Sequence, residues 1–100
     1  MPSAERGADA ATLRRDGDTL RLGGSLVAAA IAGLWPSALA AVDGATRIDV
    51  GAVTRVDSAG VALLAELMQR AGASALAGDP PGLSALRAAY RLTPALAYAG

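Results

Sequence analysis

Asp57 and Ser58 stand side by side directly before the apolar run Val61 to Leu64, with two small residues, Ala59 and Gly60, between. A carboxylate next to a hydroxyl suggests three chemistries: nucleophilic attack by Ser58, transfer of a phosphate to it, or capping of a helix. Nucleophilic attack needs a base beside the hydroxyl. The chain has no histidine, and all nine of its basic residues are arginine, so neither a Ser-His relay nor a lysine base can be assembled. Lysine is equally required for a phosphate-binding P-loop. Without cysteine there is no disulfide, no reactive thiol and no thiolate metal site. These absences point to a chain that is not an enzyme and that needs no cofactor or metal.

The capping reading stands on ordinary helix physics. The first N–H groups of a helix lack intrahelical partners, and an Asp or Ser just before the helix satisfies them. An N-cap therefore accounts for the Asp57-Ser58 pair without any further function. The small residues add a second reading. Ala59 and Gly60 keep the corner low, so a flat partner surface or an anion can approach the free donors. For an anion, Arg55 is the one cation near in sequence.

The corner needs elements to hold it. Thr19-Leu20-Arg21-Leu22 alternates, with leucines on one face, and Asp16-Gly17-Asp18 before it signals a hairpin with a strand around Leu13. Gly23-Gly24-Ser25 is expected to end this second strand. A helix follows between Ala28 and Val42, with Ile31, Leu34, Trp35, Leu39 and Val42 at helix-like steps. Pro36 either starts its regular part or kinks it. Ala45 to Val50 is the clearest strand, with Ile48 and Val50 opposite Arg47 and Asp49, and a short loop leads through Val53 and Val56 to the corner. The helix beyond it runs to about Ala71 on the stripe Val61, Leu64, Leu67, Met68 and Ala71, with Glu66 and Arg70 paired outside. Met68 is read as core. Ser74 to Ala77 is a short fourth strand. Asp79-Pro80-Pro81-Gly82 turns into a last helix with Leu83, Leu86, Tyr90 and Leu92 inward.

Alternating strands and helices call for crossovers, so the sheet should be mixed, with the opening hairpin antiparallel. The polar face of Arg21, Arg47 and Asp49 implies helices on one side only. The expected fold is thus α/β, a single domain with a mixed four-stranded sheet and helices packed on one face. Residues 1–10, small and polar, read as a flexible tail ahead of a domain over 11–100.

The chain of 100 residues has room for one modest core. With 53% hydrophobic residues but only 3% aromatic, that core is built of small side chains and closely packed helices. The formal charge is zero and the arginines are scattered without interleaved aromatics, which argues against nucleic acid. Leu22 to Val42 is uncharged and long enough to span a bilayer, but Gly23, Gly24, Gly33 and Pro36 interrupt it and alanine dominates it. A buried helix with its entry loop explains it better than a membrane insertion. The N-terminus mixes both charge signs without an apolar run, unlike a signal peptide.

The stretch Arg47 to Leu64, RIDVGAVTRVDSAGVALL, preceded by a hairpin and a helix, resembles the central signature of STAS domains. Leu34-Trp35 in the first helix and Leu86 to Leu92 in the last resemble the MlaB-like branch of that family, the STAS subunits of phospholipid ABC transporters. The resemblance implies a non-catalytic cytoplasmic subunit, peripheral to the inner membrane, that binds and regulates or stabilises an ATPase of the MlaF type and, through it, the permease, in a system that maintains outer-membrane lipid asymmetry. It further implies partner contacts at Trp35, Asp57, Ser58, Ala59, Gly60 and Ala62. The other relevant branch, the anti-sigma-factor antagonists, carries a second serine that a partner kinase phosphorylates. Here that position is Ala59, which leaves Ser58 as the remaining phospho-acceptor. Pro36 after the tryptophan and Pro80-Pro81 depart from what the family requires.

Overall fold

The computed structural model describes residues 10–73, 76–92 and 96. The tail expected over residues 1–10 lies, except for its last residue, outside them. In chain order the elements are β1 (Thr12–Asp16), β2 (Thr19–Leu26), α1 (Ala28–Ala41), β3 (Arg47–Val56), α2 (Ser58–Ala71) and α3 (Leu83–Ala89).

The hairpin forms where the D-G pair places it. Asp16 pairs with Thr19, and Gly17 takes the left-handed φ of 63° at the first of the two turn positions. Arg15 then ties the hairpin to α1. Its Nη1 donates to the carbonyls of Ala41 and Asp43, both at 2.7 Å, at the end of that helix, where orphan carbonyls attract a cation. Asp18 aligns the third strand, its carbonyl accepting from Thr46 at 2.8 Å and Arg47 at 3.2 Å.

β2 and β3 are parallel and central to the packing. Both run further than the sequence pattern indicates. β2 passes through Gly23 and Gly24 to Leu26, because Gly24 adopts φ 75° and lies against the backbone of Ala10, where a Cβ would meet the Ala10 carbonyl. β3 continues to Val56 instead of breaking into a loop after Val50. Its register against β2 shifts twice, so that ten residues of β3 oppose eight of β2. Each shift inserts one extra residue and resets the alternation. Ile48, Val50, Val53 and Val56 all point into the core at spacings of two, three and three.

Among the described residues three strands form the sheet, in the order β1-β2-β3. This corrects the expected fourth strand. Of Ser74 to Ala77, Ala77 makes a single parallel bridge to Asp49, with its N–H on Ile48 and its carbonyl on Val50, and residues 74 and 75 lie outside the described part. Gly78 follows at φ 106° and lies directly over Gly51, where a strand with side chains could not continue at that distance.

The core lies between one sheet face and the helices: Leu20, Leu22, Ile48 and Val50 from the strands meet Ile31, Ala38, Leu64 and Leu67 from α1 and α2. Met68 is buried, as its stripe requires. Pro36 falls inside α1 rather than at its start, and both it and Ala32, whose carbonyl it cannot bond, are exposed, so the lost hydrogen bond falls on the solvent side. Gly72, at φ 67°, ends α2. In α3 Leu83 is buried and Leu86 half-buried, but Tyr90 is 47% exposed, a correction to its expected inward position. It stands at the C-cap, where the helix has already ended.

Candidate functional site

Because β2 and β3 are parallel, they finish side by side, Leu26 opposite Val56. Each turns at once into a helix, so the N-termini of α1 and α2 open at the same edge of the sheet. Two sets of orphan N–H groups, both at the positive ends of helix dipoles, are thereby brought together.

Asp57 fills the space between them. Its Oδ1 accepts the Gly60 N–H at 3.0 Å, capping α2, and its Oδ2 accepts the Ala28 N–H at 2.9 Å, capping α1. The Asp57 N–H in turn donates to the Leu26 carbonyl at 3.2 Å. One carboxylate thus locks both helix starts to each other. The hydrogen bond from Ala28, then that from Gly60, holds its carboxyl below the usual carboxylate range. Asp57 also supplies the negative charge that the two dipoles favour, so an external anion would compete for donors already in use.

Gly60 is buried, and a Cβ on it would meet the Leu26 carbonyl and lie 2.5 Å from Val56 Cγ2. It lets α2 start against the end of β2. From that position Gly60 lowers the corner from beneath. Asp57, likewise, spends its two oxygens within the fold.

Ser58, at the first position of α2, is exposed, and Ala62 lies one turn on along the same solvent face. Ala59 between them is half-buried, on the flank toward the core. Beyond Ala62 this face continues into a shallow depression lined by Ala65, Glu66 and Gln69, with Leu96 at its far side. Trp35 is half-buried on the stripe of α1 that also carries Ile31 and Ala38. It sits about 10 Å along the helix axis from Ala28. The structure therefore brings Ser58, Ala59 and Ala62 into one small patch, and leaves Trp35 two turns up the neighbouring helix, part core and part surface. The Asp57 to Ala28 contact has no local signal in the sequence, since the two residues are 29 apart.

The family profile described as "Mlab, STAS domain" matches residues 10–96. Over 55 residues the chain is 46% identical to the intermembrane phospholipid transport system binding protein MlaB of Escherichia coli (strain K12), and equally to that of Shigella flexneri. The aligned stretch covers 55% of this chain and 57% of each relative, somewhat over half their length. Among the described residues no helix is long and apolar enough to cross a membrane. On the match over residues 10–96, the chain belongs to the MlaB family of STAS domains.

Proposed function

We propose that this chain is a non-catalytic subunit of an Mla-type phospholipid ABC transporter, docking on the transporter's ATPase through the Ser58 corner and regulating or stabilising it. The observation that carries the reading is the exposed, side-chain-poor start of α2 at Ser58 and Ala62, held rigid by the double cap of Asp57, on a chain of the MlaB family. A low and rigid patch suits non-covalent docking, because little side-chain freedom is lost on binding. The exposed part of Trp35 extends the surface along α1 and offers an aromatic anchor. The chain would act at the cytoplasmic side of the inner membrane, held there by the complex, and would influence turnover by binding one ATPase conformation more tightly than another.

The test is to tag the chain in its host, solubilise membranes gently and identify what co-purifies, for the natural sequence and for Ser58→Arg. An ABC ATPase with its permease, lost in Ser58→Arg while the circular dichroism spectrum is unchanged, is the expected result. Retention of the ATPase by Ser58→Arg would remove the corner from the interface. Recovery of a soluble serine kinase, with an added phosphate on Ser58, would instead place the chain with the anti-sigma-factor antagonists.

A further inference from the structure

The sheet face turned away from the helices carries an unbalanced charge. Strand alternation places Arg14, Arg21, Arg47 and Arg55 there, against Asp16 and Asp49. Both aspartates are engaged by the same residue: Arg21 Nη1 reaches Asp49 Oδ2 at 2.7 Å, and Arg21 Nε lies 3.4 Å from Asp16 Oδ2. Arg14, Arg47 and Arg55 are exposed and make no ion pair or side-chain hydrogen bond among the described residues. This excess of positive charge lies on a chain whose formal net charge is zero. Between the arginines the floor is low. Gly23 stands beside Ala52 and Thr12, close enough that a Cβ on Gly23 would be 2.7 Å from Thr12 Oγ1 and 3.2 Å from Ala52 Cβ. Arg21, Asp49, Gly51 and Ala52 line a depression on this face.

We infer that the open sheet face is a second docking surface, and that it takes an extended acidic segment of a protein partner, its carboxylates received by Arg14, Arg47 and Arg55. Guanidinium forks match carboxylates in geometry as well as charge. The low floor admits a main chain running along β3, whose two ends carry Arg47 and Arg55, with Arg14 on the same face of β1. Two other anionic surfaces fit less well. Among the described residues the face has no aromatic on which a base could stack, which disfavours single-stranded nucleic acid. Among the described residues it also has no large apolar side chain to insert into lipid, and an excess of two charges contributes too little for a bilayer alone. The inference rests on strand residues and not on Ser58 or Ala62, so it does not depend on that docking site.

The experiment titrates the full chain with a short peptide alternating Glu and Ser, following backbone amides by NMR at low and at higher salt. Gln replaces Glu in the control peptide. Shifts confined to β1, β2 and β3, weakened by salt and absent with the control, are expected. The combined variant Arg14→Glu, Arg47→Glu and Arg55→Glu should bind about tenfold more weakly or not at all. The milder set Arg14→Gln, Arg47→Gln and Arg55→Gln serves if the first loses its fold. Undiminished binding by the folded variants, or shifts centred on α1 and α2, would overturn the assignment. So would retention on phosphatidylglycerol vesicles without peptide binding, which would make the face a membrane contact.

Discussion

Asp57 Oδ2 accepts the backbone N–H of Ala28 at 2.9 Å while Oδ1 of the same carboxylate accepts that of Gly60 at 3.0 Å, so one side chain caps two helices that begin 30 residues apart. The parallel pairing of β2 and β3 makes this economy available, because it delivers both helix starts to one point. Any surface presented by that corner inherits its rigidity from this one residue.

Removing the carboxylate should therefore cost two caps. A lost N-cap destabilises by about 1 kcal/mol, so Asp57→Ala is expected to lower the unfolding free energy by about 2 kcal/mol, read from urea denaturation. Asp57→Asn keeps one carbonyl acceptor and turns an amide donor toward the other helix, and should lose about 1 kcal/mol. Equal stability of Asp57→Ala and the natural chain would show that solvent caps the helices just as well.

The same group sets an acid dependence whose sign follows from its depressed pKa. The native state holds Asp57 ionised to lower pH than the unfolded chain does, where its ordinary value is 3.8. Its contribution is thus fully present above 3.8 and disappears as pH falls through the lower native value. Measured from pH 7 down to 3, the stability gap between the natural chain and Asp57→Asn should stay constant to about pH 5 and then close. A gap that widened on acidification would reverse the assignment.

Two glycines in neighbouring helices should respond oppositely to alanine. At Gly60 a Cβ meets the Leu26 carbonyl and Val56 Cγ2, so Gly60→Ala must push α2 off β2 and should cost about 2 kcal/mol. At Gly33, inside α1 and exposed, a Cβ meets nothing within 4 Å, and Gly33→Ala should stabilise by up to about 1 kcal/mol through helix propensity. Melting temperatures of the two variants, moving down and up respectively, check both.

How far these features could be read from sequence depends on whether their cause is local. Leu20 and Leu22, Ile48 and Val50, and Val61, Leu64, Leu67 and Met68 of the α2 stripe obey simple periods, and each is buried where its period places it, while Ala71 at the end of that stripe is half-buried. The far half of β3 hides because the extra residues that shift its register break the two-residue period, and Gly23-Gly24 reads as a stop although backbone contact with Ala10 is what uses it. Ser74 to Ala77 has strand composition, but of its described residues only Ala77 makes a bridge, next to Gly78 pressed on Gly51. Tyr90 continues the apolar pattern of α3 past the point where the helix ends. At the candidate site, Asp57 and Ser58 were legible as a helix start, whereas the hold of Asp57 on Ala28 arises only once two strands are aligned in parallel.

The single tryptophan offers a direct reading of the proposed interface. Trp35 is half-buried, so its indole has one side on the core and one toward solvent. If the partner ATPase covers α1 together with the Ser58 corner, adding it should shift Trp35 emission to shorter wavelength and lower its quenching by iodide, because the exposed side loses water. The partner's own tryptophans, if it has any, are removed by substitution so that the signal belongs to this chain. Ser58→Arg should abolish the change at concentrations that saturate the natural chain. Complex formation without any change at Trp35 would confine the contact to Ser58, Ala59 and Ala62 and leave the tryptophan to the core.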